Sequence, residues 1–119
     1  MKLEDLEIYN LSMNLSDIVF FEVNKMPQFH KNTLGKQWIR AADSVCLNIS
    51  EGFGRFIFRD SRSFSIIARG SLYESKTCMT KAFRRELITK ELYDNLLKRY
   101  NNLGVKLNNY ITAQTKSMQ

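Results

Sequence analysis

A chain of 119 residues is long enough for one domain with a single hydrophobic core, and 44% apolar with 25% charged residues is a globular composition. The net charge of +6 is uneven, because residues 1–26 carry two basic and five acidic side chains whereas residues 61–88 carry six and two. One histidine and two cysteines without a CxxC pair exclude a zinc site, and the apolar runs are too short to span a membrane.

The first predicted helix covers residues 4–26, where Ile8, Leu11 and Leu15 begin a run of apolar residues at helical spacing. Acidic residues in its first turn suit the positive end of the helix dipole. Pro27 ends the helix, because the residue before a proline is disfavoured in the α region. We therefore expect a loop over residues 27–32.

The second predicted helix covers residues 33–51 and comes directly after that loop. Thr33 is a suitable N-cap, and Trp38 begins the apolar stripe. Gly52 and Gly54 come after the last periodic position, and glycines there are typical of a helix C-cap.

The third predicted helix covers residues 61–85, with Asp60 or Ser61 as its N-cap. Gly70 lies in its middle, where glycine costs roughly 1 kcal/mol relative to alanine. A glycine kept at that cost predicts the close approach of another backbone, with sequence drift as the alternative.

The fourth predicted helix covers residues 90–115, with Thr89 as N-cap and an expected ion pair between Asp94 and Lys98. Four helices with short connections predict an all-α fold, an antiparallel up-down-up-down four-helix bundle that forms one domain over residues 1–119. Cys46 and Cys78 lie on apolar helix faces, which indicates reduced core residues in a cytoplasmic protein.

Two segments carry polar residues inside these helical patterns: GKQWIRAADSVCLNISEGFGR at 35–55 and FSIIARGSLYE at 64–74. Both resemble the four-helix bundle proteins related to those encoded in intervening sequences of bacterial 23S rRNA genes, a fold shared by the Avd-like accessory proteins of diversity-generating retroelements. The resemblance implies assembly into a homopentamer. In retroelement members it implies a basic ring that contacts nucleic acid and a reverse transcriptase.

The polar positions that match the family motifs are candidates for structural or assembly roles. They are Arg40, Asn48, Glu51, Gly52, Gly70, Ser71 and Glu74. Charges within amphipathic helices are costly to bury unless they are paired, so we expect ion pairs or hydrogen bonds at helix ends or between subunits. Glu51 and Arg55 are four residues apart and are expected to pair locally. A ligand-contact role for these residues is the alternative.

A stripe of basic residues is the candidate nucleic-acid-binding surface. Its members are Arg62, Arg69 and Lys76, spaced by seven, with Arg55 and Arg59 toward the preceding connection and Lys81, Arg84 and Arg85 toward the end of the helix. Phosphate contacts from such a stripe would give affinity without sequence readout. A solvated face with charge pairing between subunits is the alternative. Tyr73, Phe56 and Phe58 could stack on bases or belong to the core or an interface.

The sequence shows no catalytic set, no cofactor motif and no metal ligands. We therefore predict a non-enzymatic homo-oligomer that binds structured RNA or DNA through its basic surface. A scaffold that positions a partner protein such as a reverse transcriptase is the alternative. A small-molecule binder in the bundle core is a third interpretation.

Overall fold

The structure, a computed structural model, describes residues 1–118. Its long helices are α1 (Glu7–Asn24), α2 (Lys36–Phe53), α3 (Phe58–Arg84) and α4 (Lys90–Ser117). The contacts of α1 are with α2 and α4, and α3 packs against both α2 and α4. The helices therefore form an antiparallel up-down-up-down arrangement of 48 × 23 × 21 Å, which confirms the predicted all-α four-helix bundle.

The core follows a seven-residue repeat that is clearest along α3 and α4. The buried positions that follow this repeat include Ser61, Ser65, Ala68, Leu72, Ser75, Met79 and Ala82 on α3, and Leu96, Tyr100, Leu103 and Leu107 on α4. Many of the α3 residues are small, which lets the neighbouring helices approach closely. Such spacing is typical of bundles whose helices cross at shallow angles.

A hydrogen-bond network crosses the centre of this core. Trp38 Nε1 of α2 donates to the Tyr100 hydroxyl of α4 at 3.0 Å, and the Ser75 hydroxyl of α3 lies 2.5 Å from the same oxygen. Trp38, Ser75 and Tyr100 are all almost fully buried. Three helices therefore share one hydroxyl, and their buried polar groups are satisfied by one another.

The predicted loop at residues 27–32 is wrong, because the chain is helical from Gln28 onward. A short helix, Gln28–His30, continues through a π-helical turn, Lys31–Gly35, into α2. Thr33 is not an N-cap, since its hydroxyl donates to the Phe29 carbonyl at 2.9 Å. A Cβ on Gly35 would lie 2.6 Å from a Val23 methyl carbon, so this glycine lets the helical lead-in pack on α1.

The predicted glycine C-cap of α2 is Gly54, whose N–H donates to the Ser50 and Gly52 carbonyls, whereas Gly52 lies inside the helix. No glycine in residues 1–118 has a positive φ, and α2 continues through Gly52 to Phe53. Only glycine fits at position 52, because a Cβ there would lie 2.9 Å from the Ser61 carbonyl oxygen of α3. Close packing of α2 on α3 explains this glycine.

Helix α3 begins at Phe58, earlier than predicted, so neither Asp60 nor Ser61 caps it. Asp60 lies in the first turn, where its charge suits the helix dipole. For α4 the predicted cap is present, because the Thr89 hydroxyl accepts from the Leu92 N–H at 3.1 Å.

The expected Asp94–Lys98 ion pair is wrong. Asp94 pairs with Lys90 at 2.9 Å. The Cα–Cβ bonds of a helix tilt toward its N-terminus, so the short Asp94 carboxylate leans toward the earlier lysine.

Candidate nucleic-acid interface

A row of cations crosses the seam between α3 and α4, and we call it the cation ladder. Each rung joins a cation of α3 to a neutral side-chain oxygen of α4: Arg62 Nε to Thr115 Oγ1 (2.7 Å), Arg69 Nη1 to Asn108 Oδ1 (3.2 Å) and Lys76 Nζ to Asn101 Oδ1 (2.9 Å). The three rungs bring together the three residues that were predicted as a stripe from their spacing of seven.

The cation ladder forms because the heptads of two antiparallel helices coincide. The cations recur every seven residues up α3, and their acceptors recur every seven residues down α4. At about 1.5 Å per residue the rungs lie about 10 Å apart along the helix. Hydroxyl and amide oxygens carry no formal charge, so they orient the cations without neutralising them. The seam therefore presents three full positive charges in fixed positions.

The other predicted basic residues are divided between separate places. Arg59 is exposed and lies one turn before Arg62, so it extends the cation ladder beyond the Arg62 rung. Arg55 is engaged elsewhere, because it pairs with Glu51 at 2.6 Å and its guanidinium lies over the Phe64 ring at 4.8 Å from the centroid. Arg55 and Glu51 therefore fasten the turn between α2 and α3, as expected for this pair.

Lys81, Arg84 and Arg85 gather at the C-terminal end of α3 and do not continue the cation ladder. Lys81 lies five residues after Lys76, which places it about 140° farther around the helix. Cations at a helix C-terminus interact favourably with the negative end of its dipole. The structure thus splits the predicted stripe into a ladder and a terminal cluster.

Sequence reasoning missed the acceptor side of the cation ladder. Asn101, Asn108 and Thr115 were not singled out, although their spacing of seven repeats the spacing of the cations. That shared spacing on two helices predicted to be adjacent was the signal that could have found them.

A surface cavity of about 250 Å³ lies between the Arg69 and Lys76 rungs, and we call it the Gly104 groove. Buried Leu72 and Tyr100 line it, and Gly104 contributes no side chain. Tyr73 and Val105 stand at its edges with 59% and 61% of their surfaces exposed. The groove therefore combines an apolar interior with an exposed aromatic edge.

Several of the predicted structural residues meet at the seam between α2 and α3. The hydroxyls of Ser44 and Ser71 lie 2.9 Å apart, and Asn48 Nδ2 donates to the Ser44 carbonyl at 2.8 Å and to its hydroxyl at 2.9 Å. Arg40 and Glu74 are exposed, and neither forms an ion pair within residues 1–118.

Gly70 departs from the prediction of close backbone packing inside the bundle. A Cβ built on Gly70 would meet nothing within 4 Å, so no neighbouring helix of the same chain requires this glycine. Large apolar side chains are exposed on the same two helices, with Leu47 of α2 64% exposed and Ile67, one turn before Gly70 on α3, 50% exposed. Any close approach at Gly70 therefore has to come from another molecule.

Burial governs the titratable groups of the core. It raises the pKa of Tyr100 to about 12, against the smaller opposing effect of the hydrogen bonds with Ser75 and Trp38. Burial also raises the pKa of the Cys46 and Cys78 thiols, and both cysteines are free. Neutral, buried thiols of this kind are poor nucleophiles.

Within residues 1–118 no group of three or more His, Cys, Asp and Glu side chains is placed to hold a metal ion. Across the same stretch, none of the helices is long and apolar enough to cross a bilayer. The single histidine, His30, is half-buried in the helical lead-in and packs edge-on against Phe29.

Comparison with known proteins places this geometry in a family. Residues 4–109 match the family described as 23S rRNA-intervening sequence protein. A crystal structure of a protein of unknown function from the S23 ribosomal protein family of Bacteroides thetaiotaomicron VPI-5482 has the same fold. Its TM-score is 0.79 at 20% sequence identity, over 87% of this chain and 97% of that one. No curated protein matches the sequence. The chain belongs to the 23S rRNA-intervening sequence protein family.

Proposed function

We propose that this protein is a non-catalytic, cytoplasmic homo-oligomer, a pentamer, that binds structured RNA or DNA through its basic surface. The cation ladder is the observation that carries the proposal. Three cations repeat along one seam, which suits contact with the phosphates of a nucleic-acid backbone, and no carboxylate within residues 1–118 pairs with them.

The cation ladder leaves most of its donors available to phosphate. Arg62 and Arg69 each use one of five N–H donors in their rungs, and Lys76 uses one of three. The rungs also restrict the side chains before any ligand arrives, which lowers the entropy lost on binding. Contacts of this kind position a backbone and give affinity without reading a sequence.

Self-assembly is supported by the exposed apolar side chains of α2 and α3. Leu47 and Ile67 are large apolar residues that the isolated bundle leaves exposed, and the open space at Gly70 lets a second backbone approach α3. A ring of copies would repeat the cation ladder around its circumference and multiply the positive field.

Replacing Gly70 with Leu tests the assembly directly. The variant should fold, because the space around Gly70 is open within the protomer, but its side chain would block the approach of another copy. We expect a smaller species by light scattering, with unchanged helix content by circular dichroism. A helical variant with the mass of the parent would remove Gly70 from the interface.

Charge reversal tests the nucleic-acid surface. The double variant Arg62→Glu with Lys76→Glu lowers the formal charge from +6 by four, to +2. We expect weaker binding to duplex and structured RNA and a salt dependence that is shallower by about two units in the slope of log K against log salt. Light scattering should show an unchanged oligomer.

The matched control reverses Lys25 and Lys90, which removes the same charge far from the cation ladder. Both lysines are exposed and form only short-range ion pairs with Glu22 and Asp94. We expect this control to bind almost as tightly as the parent. If the two double variants bind alike, net charge governs the affinity and the cation ladder is not the contact.

A second function is favoured by the exposed apolar turn between α2 and α3. Phe56 is fully exposed, and Ile57 and Phe58 are 56% and 54% exposed. Such a patch suits a protein partner such as a reverse transcriptase, positioned by the oligomer as a scaffold. If the nuclease-treated protein recovers one partner protein and the Phe56→Ser variant does not, this function is favoured over nucleic-acid binding.

A further inference from the structure

We propose that the Gly104 groove is a pocket for one unpaired nucleotide, so that the protein prefers single-stranded or looped nucleic acid to a continuous duplex. This inference rests on the proposed function and names the form of nucleic acid that the cation ladder holds. It is supported by the position of the groove, its lining and the donors on its rim.

The groove lies between two rungs of the cation ladder. Gly104 is midway between Asn101 and Asn108 on α4, and Leu72 and Tyr73 are midway between Arg69 and Lys76 on α3. A cation therefore stands on each side of the apolar cavity along the seam. A nucleotide whose base enters the groove would have its flanking phosphates near Arg69 and Lys76, which is the charge complementarity that the site offers.

The size and lining of the groove suit a single planar base. Its volume of about 250 Å³ is below the range of about 300–1,000 Å³ for pockets that hold drug-sized ligands, so it admits one ring system. Tyr73 provides an exposed aromatic face at the edge, and Leu72 and Tyr100 provide an apolar interior. Stacking on such a ring is available to every base, but only when the base is out of its own helix.

The rungs also fix which polar atoms face a ligand. The carboxamide oxygens of Asn101 and Asn108 accept from Lys76 and Arg69, so the Nδ2 groups remain as donors at the rim. Amide N–H donors pair with the carbonyl oxygens and ring acceptors on base edges. We therefore expect the rim amides to hydrogen-bond to the edge of an unpaired base of either class, because uracil and thymine offer carbonyl oxygens and adenine offers ring nitrogens.

Gly104 provides a test that separates the pocket from the fold. A Cβ at Gly104 would meet only Leu72 Cδ2 at 3.8 Å, an ordinary contact, so Gly104→Ala should fold at least as well as the parent. Gly104→Leu would place a larger side chain in the cavity. We expect Gly104→Ala to weaken single-strand binding a few-fold and Gly104→Leu about tenfold or more. Gly54→Ala is the matched control, because it makes the same change at an exposed site at the end of α2, outside the groove, where a Cβ would meet only ordinary contacts of 3.6 Å or more.

The aromatic edge provides an independent test. Tyr73→Ala should weaken single-strand binding about 5- to 150-fold, the loss expected when one base–aromatic stack is removed. Phe21→Ala is its control, because Phe21 is a similarly exposed aromatic residue, at 62%, on α1. The control should bind like the parent.

The measurement is fluorescence anisotropy with labelled oligo-U, oligo-dT and oligo-dA strands and with a duplex of equal length. The inference predicts that the Gly104 and Tyr73 variants lose affinity for the single strands, whereas their duplex binding stays within about twofold of the parent. Equal losses for strand and duplex, or no loss for either, would overturn the pocket. The proposed function would survive that result, since only failure of the parent to bind any of the probes counts against the cation ladder itself.

Discussion

The two seams of α3 use glycine in opposite ways. At the seam with α2, Gly52 is buried against the Ser61 carbonyl, and a Cβ there would lie 2.9 Å from that oxygen. At the seam with α4, Gly104 leaves a Cβ-sized space whose nearest neighbour would be 3.8 Å away, and a cavity remains open to the surface. Gly52 lets α2 and α3 pack in direct contact, whereas Gly104 leaves a cavity between α3 and α4 that has room for a ligand.

The polar groups divide in the same way. At the α2–α3 seam, Ser44, Asn48 and Ser71 satisfy one another with neutral hydrogen bonds. At the α3–α4 seam, the cation ladder uses neutral acceptors that leave its charges uncompensated. A contact whose polar groups are all paired within the chain holds the bundle together, whereas a row of unneutralised cations favours an anionic partner.

Tyr100 joins the two seams, and its ionisation should weaken both. Its pKa is about 12 in the fold and near 10.0 in the unfolded chain, so the folded state holds the phenol proton more tightly. The contribution of this phenol to the free energy of unfolding is therefore fully present below about pH 10. It is lost as the pH rises to about 12, which lowers the free energy of unfolding by about 3 kcal/mol in total.

Urea unfolding of the parent and of Tyr100→Phe between about pH 9 and about pH 11 isolates this effect, because the lysines titrate in both proteins. The parent should lose stability more steeply than the variant over that interval. Parallel curves would show that the Tyr100 phenol does not ionise differently in the fold.

Adding a methyl group at the closely packed seam between α2 and α3 should lower the free energy of unfolding. Gly52→Ala would push a methyl group toward the Ser61 carbonyl and to within 3.1 Å of Phe64 Cβ. Overpacking of this kind costs about 1–3 kcal/mol, partly offset by about 1 kcal/mol of helix propensity, so we expect a net loss of up to about 2 kcal/mol. Chemical denaturation measures this loss, and a variant more stable than the parent would mean that α2 and α3 separate easily.

The same substitution at the open seam should have the opposite sign. Gly104→Ala gains up to about 1 kcal/mol of helix propensity without a steric cost. Thermal unfolding should therefore show a small rise in the midpoint temperature. A fall in stability would indicate that the groove is already filled within the protein and would remove the contrast between the two seams.

Much of the fold could be predicted from the sequence because it depends on local patterns. The apolar heptads indicated the four helices and their order, and Thr89 marked the start of α4 by a local side-chain hydrogen bond. The error at residues 27–32 arose because Pro27 both ends α1 and allows a new helix to begin directly after it. A proline therefore marks the end of one helix but does not decide whether a loop or a second helix comes next.

The functions of the glycines could not be read in the same way. Gly52 resembles a C-cap in sequence, but its position is determined by the backbone of α3, which is distant along the chain until the hairpin forms. Gly104 lies in a helical pattern that gives no sign of a groove, because the groove depends on the facing residues of α3. The cations of the ladder were visible from their spacing, whereas their partners required the register between two helices.

The most direct test of the cation ladder is a salt titration of binding by the nuclease-treated parent protein to structured RNA, duplex DNA and single strands. We predict measurable affinity at low salt and a linear fall of log K with log salt whose slope corresponds to about three or more phosphate contacts per protomer engaged. Absence of binding to every ligand at the lowest salt would contradict the nucleic-acid function and favour the protein scaffold.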